Sequence, residues 1–196
     1  MKLVHSKETP FKIPYTDPDV VNLLTRRLIS IIGESAKDQR IVIVCIGTDR
    51  STGDALGPLV GTALNRHNSS LFDLFGTLEE PVHAMNLDET LARIRHQINM
   101  PFIIGIDACL GQVSSVGCIQ VGKGPVRPGA GVNKELPPVG DIHMTGIVNV
   151  GGFMEYFVLQ NTRLHLVMRM SEIIAQSLYT AITACKSSST CAAAQD

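Results

Sequence analysis

Tryptophan is absent from the 196 residues, and the other large aromatics amount to six Phe and three Tyr. Cationic surplus is absent too: 17 Lys and Arg stand against 18 Asp and Glu, and the formal net charge is -1. A protein that holds nucleic acid electrostatically carries an excess of basic side chains, so nucleic acid is set aside as a partner. No apolar run approaches the ~18 residues that a helix needs to cross a bilayer, so a membrane is set aside as well. The opening residues, Met1 to Glu8, lack the apolar stretch of a signal peptide, and a cytoplasmic location is expected. The five cysteines (Cys45, Cys109, Cys118, Cys185 and Cys191) are odd in number and show no C-x-x-C spacing, which argues against a zinc knuckle or a disulfide framework. Cys45, Cys109 and Cys118 lie in apolar, strand-like runs, where small buried thiols are ordinary.

Apolar residues make up 44% of the chain and charged ones 18%, the balance of a folded globular protein. The length suits a single domain over residues 1–185, with a Ser- and Ala-rich tail, 186–196, expected to fray. A domain of this size buries about 70% of the surface of its unfolded chain and needs no covalent staple.

Residues 1–16 read as irregular, broken by Pro10 and Pro14. Asp17-Pro18 reads as a helix N-cap with proline at the first helical position, and Val20, Val21, Leu24, Leu28, Ile31 and Ile32 follow at helical spacing up to a stop at Gly33. Arg40 to Ile46 is apolar nearly throughout and rich in β-branched residues, as in a parallel strand covered on both faces. A polar loop, Gly47 to Gly53, leads to a helix from Asp54 to about Asn65. Val82 to Met85 is expected as a short strand, Asn86 as the cap of a helix over Leu87–Ile98, and Pro101 to Ala108 and Val116 to Val121 as two more strands. The Gly- and Pro-rich stretch 122–140 reads as a loop. Asp141 to Gly146 is expected to lead into a helix around Phe153–Leu159. Leu164 to Val167 is expected as a last strand, and Met170 to Cys185 as a last helix. Alternating strands and helices predict an α/β fold, a three-layer α/β/α sandwich with a largely parallel sheet.

In such sheets ligand sites form beyond the carboxyl ends of the strands. Two acids fall there: Asp54 opens the helix after the first buried strand, and Asp107 closes the strand that starts at Phe102. Two carboxyls brought together in a cleft cannot both ionise easily, so one becomes an acid and its neighbour a base. Water-mediated amide hydrolysis needs that pair of roles. The same pair is able to ligate a divalent ion. Each also has a structural reading, Asp54 as a first-turn residue complementing the helix dipole and Asp107 as a turn cap. Asp49 and Arg50, in the preceding loop, either orient substrate or pair with each other in water. His143 reads as a substrate-binding or proton-carrying residue, or as a loop histidine bonded to backbone. His67, His83, His96 and His165 have no partner spacing and read as structural or exposed. Cys109 reads as a buried structural cysteine, since no histidine is placed beside it.

Gly47-Thr48, followed by Thr52-Gly53-Asp54-Ala55-Leu56-Gly57-Pro58, resembles the signature of the spore germination protease family, whose motif ends in Thr-Pro-Asp-Ala-Leu-Gly-Pro. Ile106-Asp107-Ala108 is similar to that family's second acidic motif. Ile119-Gln120 and Arg127-Pro128-Gly129-Ala130-Gly131-Val132-Asn133 resemble its glycine-rich loop, in the same chain order. The resemblance covers roughly residues 40–180 and is nearest to a short sporulation relative of the protease. Gly53 stands where the germination protease has proline. The resemblance implies a phosphorylase/hydrolase-like α/β fold, catalytic aspartates at Asp54 and Asp107, no cofactor, and protein substrates, small acid-soluble spore proteins among them, in a forespore or spore core; it leaves a homo-oligomer open. A more distant resemblance is to hydrogenase maturation endopeptidases, which share the spacing of Gly47, Asp54 and Gly57 and an Asp-Ala motif at Asp107. Their later Ser-x-His motif is loosely similar to Asp141-Ile142-His143. That resemblance implies instead a peptidase that recognises nickel or zinc through Asp54, Asp107 and His143. A third reading keeps the fold without catalysis, as a sporulation protein that binds a partner.

Overall fold

The computed structural model describes residues 10–36, 39–129 and 136–192, with side chains described as far as residue 187. Its centre is a six-stranded sheet. In chain order the strands are β1 (Phe11–Pro14), β2 (Ile41–Cys45), β3 (Phe72–Phe75), β4 (Phe102–Gly111), β5 (Cys118–Lys123) and β6 (Ile142–Val150). The helices are α1 (Val20–Ser35), α2 (Leu56–Asn65), α3 (Leu87–Gln97), α4 (Glu155–Gln160) and α5 (Leu164–Ala192), with a 3-10 turn at Val113–Ser115. The spatial order is β1-β5-β6-β4-β2-β3. Strands β6, β4, β2 and β3 run parallel, while β5 and β1 add an antiparallel edge.

The expected α/β/α sandwich is therefore present. From β2 the chain steps outward through α2 to β3, then returns through α3 to β4 on the other side of β2. Right-handed crossovers in opposite directions put their helices on opposite faces. Accordingly, α1, α2 and α5 cover one face, where Ile41, Ile43, Cys45, Ile104 and Ile106 pack against Leu24, Leu28, Leu56, Val60 and Leu178. The other face packs Val42, Val44 and Ile103 against Leu87, Leu91 and Ile94 of α3 and against Val126 and Val139. All of β2 is buried, as its unbroken apolar run requires.

Several expected elements differ. Helix α1 starts at Val20, because the turn at Asp17 comes first: Val20 N–H bonds the Asp17 carbonyl at 3.2 Å. It runs through Gly33 to Ser35, since its buried stripe continues to Ile31 and Ile32. Residues Phe11–Pro14 form an edge strand on β5, where Pro14 ends the ladder. Val82 to Met85 holds no strand, only a bridge from Val82 to Ile46; the strand beside β2 is Phe72–Phe75. Residues Ile142–Val150 form a central strand. Leu164 to Val167 is the first turn of α5, whose buried Val167, Met170, Ile174 and Leu178 recur every three or four residues. That helix continues to Ala192, into the Ser- and Ala-rich segment.

Candidate active site

Opposite departures from β2 make the gap between the carboxyl ends of β2 and β4 a topological switch point, where open α/β sheets leave a crevice. A cavity of about 340 Å³ occupies it, and both Asp54 and Asp107 line it. The sequence-predicted pair thus comes together from two separate stretches of chain.

Asp107 is mounted in the middle of β4. Cys45 is the last β2 residue paired with that strand, opposite Ile106, while Asp107 pairs with Thr145 of β6. The β2 chain turns away two residues later, at Gly47, and so opens the cavity over Asp107. One carboxylate oxygen accepts the N–H of Ala108 at 2.8 Å. Burial, and then the charge of Asp54, push the Asp107 carboxyl well above the ordinary carboxylate range; the Ala108 N–H offsets this in part.

Asp54 sits in the turn before α2. The loop that carries it is tied to three other places. Gly47 N–H bonds the Val82 carbonyl at 2.8 Å, Gly53 N–H bonds the Leu159 carbonyl at 2.8 Å, and Thr48 N–H bonds the carbonyl of Asp54 itself at 3.2 Å. Gly47 has φ +145°, and a Cβ there would run into the Asp54 carbonyl oxygen and lie 3.0 Å from Pro58. Gly57 lies on the end of β2: a Cβ would fall 2.8 Å from the Ile46 nitrogen and nearer still to its carbonyl oxygen. The motif glycines are therefore the contacts that press the acid-bearing turn onto the strand end. Burial raises the pKa of Asp54, and the Ser51 side chain beside it acts in the opposite direction. The Ser51 hydroxyl is buried and makes no well-formed hydrogen bond among the described residues.

Burial raises both carboxyls, Asp107 the more strongly, and the charge of Asp54 adds to the rise at Asp107 and favours the proton there. A base and an acid therefore face one solvent-open space.

The other expected site residues are placed elsewhere. Asp49 is exposed and does not line the cavity, whereas its neighbour Arg50 does. Arg50 bonds the Thr48 hydroxyl through its backbone N–H, at 3.3 Å, and its Nε, at 3.4 Å. His143 pairs with Gly105, two residues before Asp107 on β4, and lies outside the cavity lining; its Nδ1 is 2.9 Å from the Gly124 carbonyl. Asp141 of the same motif caps the start of β4, accepting the Ile103 N–H at 2.8 Å. Among the described residues no group of three His, Cys, Asp or Glu side chains is placed to hold a metal ion, and His143 lies outside the cavity that Asp54 and Asp107 line. Of the glycine-rich loop, Pro128 and Gly129 line the cavity, while Ala130, Gly131, Val132 and Asn133 fall outside the described residues.

Sequence reasoning missed His83, which the cavity brings to its wall. Its Nδ1 accepts the Met85 N–H at 3.3 Å, leaving Nε2 as the protonated nitrogen of the neutral ring. Its own N–H bonds Asn86 Oδ1 at 2.8 Å, so Asn86 holds the N-cap position of α3, as expected, while its side chain fastens the loop and not the helix end. No spacing in the sequence ties His83 to either aspartate; the Ile46–Val82 bridge and the Gly47–Val82 hydrogen bond bring it there. Tyr156 and Leu159 of α4 complete the opposite wall, and Cys109 lines the cavity beyond Asp107. Burial pushes the Cys109 thiol up to about 11, with Thr145 acting weakly against it.

Comparison with known proteins gives three findings. The chain is 52% identical over 166 residues to "Uncharacterized protein YyaC" of Bacillus subtilis (strain 168), covering 85% of this chain and 80% of that one. A [NiFe] hydrogenase maturation protease, HycI from Thermococcus kodakarensis KOD1, aligns in structure with a TM-score of 0.46 and 17% identity, over 76% of this chain and 99% of that one. A family model described as "Protein of unknown function (DUF1256)" matches residues 12–177, which take in both acids and all of the sheet except Phe11. The chain belongs to that family.

Proposed function

We propose that the chain is a peptidase of the spore germination protease type, acting through Asp54 and Asp107 with a water molecule as nucleophile. One observation carries the reading: two carboxyls from separate elements line a single open cavity, and the charge of the first helps to keep the second protonated. Ionised Asp54 takes a proton from water, and the water oxygen bonds to the peptide carbonyl carbon. Asp107 gives its proton to the carbonyl oxygen as that bond forms. Collapse of the tetrahedral adduct returns a proton to Asp107 and breaks the C–N bond, and the proton that Asp54 gained leaves with the amine.

Small acid-soluble spore proteins are the proposed substrates and the cytoplasm of a spore-forming bacterium the proposed location; the motif order and the Bacillus relative support both. The test is incubation of the purified chain with such a spore protein and mass analysis of the fragments. Asp54→Asn and Asp107→Asn are each expected to slow cleavage by at least ~10²-fold, with unchanged circular dichroism. Cleavage at the wild-type rate by either variant sinks the acid-pair mechanism. Absence of any cleavage, together with a stable complex between the chain and a spore protein, favours the non-catalytic reading.

A further inference from the structure

The wall of the cavity continues outward as an apolar rim. Helix α4 is clamped by its inner side: Leu159 is buried, its carbonyl accepts the Gly53 N–H, and Asn149 Nδ2 bonds the Val158 carbonyl at 3.3 Å. Its outer side has no partner among the described residues. Phe153 is 88% exposed, and Met154, Tyr156 and Phe157 are more than half exposed. Met154 takes a left-handed φ of 55°, a conformation that L side chains rarely adopt and that persists where the surroundings impose it. Met85, 82% exposed, follows Val82, which packs on the α3 face of the sheet, whereas Leu159 of α4 packs on the other face. Met85 and Tyr156 both belong to the cavity lining, so the exposed apolar surface and the acid-bearing cavity are continuous. Single exposed apolar residues are unremarkable, but a cluster bordering a cleft marks an interaction site.

We propose that Met85 on one side of the mouth, and Phe153, Met154, Tyr156 and Phe157 on the other, dock an unfolded polypeptide segment with large apolar side chains on both sides of the bond offered to the aspartates. This rests on the peptidase reading. The occupant follows from size and continuity. A cavity of about 340 Å³ is at the low end for small-ligand sites and admits only a few residues of a chain. Whatever reaches Asp54 and Asp107 from a longer chain must lie across Met85 and Tyr156. The two carboxyls on the floor disfavour an acidic segment at that point.

The test uses Asp54→Asn protein, which is expected to bind without cutting, and fluorescence anisotropy of a short labelled peptide with Phe and Leu on both sides of its centre. A peptide with serines in their place is the control. The apolar peptide is expected to bind and the serine peptide not. Phe153→Ser combined with Phe157→Ser is expected to weaken binding by ~10-fold or more. Met85→Ser, at an exposed position, gives a second variant should the double one fold poorly. Equal binding of the two peptides, or binding indifferent to both rim variants, overturns the proposal. So does a concentration-dependent dimer that the rim variants dissociate, or flotation with phosphatidylglycerol vesicles that they abolish. Binding that follows the rim, with no cleavage by the wild-type chain, sinks hydrolysis and keeps the docking surface; cleavage indifferent to the rim does the reverse.

Discussion

Replacing Gly57 by alanine tests how the acid pair is held. The new methyl group would lie 2.8 Å from the Ile46 nitrogen and closer to its carbonyl oxygen, neither of which is the end of a flexible side chain. Ordinary contact between carbon and a backbone atom needs roughly 3.5 Å, so α2 must move off β2 by about 1 Å. Two effects compete in stability. Alanine in place of glycine in a helix gains up to ~1 kcal/mol, while overpacking of this kind costs ~1–3 kcal/mol. The clash wins, because the opposing atoms are main chain at the paired end of a fully buried strand. A net loss of ~0.5–2 kcal/mol lowers the thermal midpoint by roughly 1–8 °C at this chain length. Function should suffer more than stability, since the start of α2 carries the turn of Asp54; a displacement of about 1 Å at a reacting group costs ~10²-fold in rate. Thermal unfolding followed by circular dichroism reads the first effect, and cleavage of a spore protein reads the second. A Gly57→Ala variant with a raised midpoint and wild-type cleavage would refute the claim that this contact sets the position of Asp54.

Two further outcomes follow from the raised carboxyl and the raised thiol. Because the folded-state pKa of Asp107 lies above its unfolded value, folding binds a proton there, and the associated stability is present at acid pH and lost as pH rises through the folded pKa. Asp107→Asn removes that loss, so urea unfolding should show the variant more stable than wild type at neutral pH, by an amount that shrinks toward about pH 4; a difference that is constant with pH, or largest in acid, contradicts the assignment. The Cys109 thiol, pushed up to about 11 by burial, should react with iodoacetamide far more slowly than a free cysteine at neutral pH and speed up only as pH climbs; labelling at the pace of free cysteine would show that it is exposed and ionised.

The parts legible in the sequence were those where one local rule acts alone. Ile41 to Cys45 is apolar at every position because both faces are covered, and such a run has few other uses. Asp54-Ala55-Leu56-Gly57-Pro58 was readable through its resemblance to a family signature and through the place of its acid after a buried strand. Strand β6 was not readable: His143, Thr145, Gly146 and Asn149 interrupt its apolar residues, yet each is accommodated by a neighbour, such as Gly124 for His143 and Thr162 for Asn149, that only the fold supplies. Leu164 to Val167 alternates like a strand over four residues, too short a window to reveal the helical stripe that continues to Leu178 and beyond. Pro10 and Pro14 obscured β1, which tolerates proline because it lies at the sheet edge. Asp54 and Asp107 stood out as acids at strand ends, whereas His83 reaches the same cavity through one bridge between Ile46 and Val82, and long-range pairing of that kind leaves no periodic trace.

The two acids have unequal mountings. Asp107 belongs to a strand paired with β2 up to Ile106 and with β6 beyond it, so its amide and that of Ile106 should exchange with deuterium only when the whole protein opens. Asp54 is suspended from a turn anchored by a few single hydrogen bonds to Val82 and Leu159, and amides around it should exchange through local openings of much lower cost. Any adjustment in the distance between the carboxyls during a turnover therefore falls on one partner: the strand is the anvil, and the turn is the part that swings.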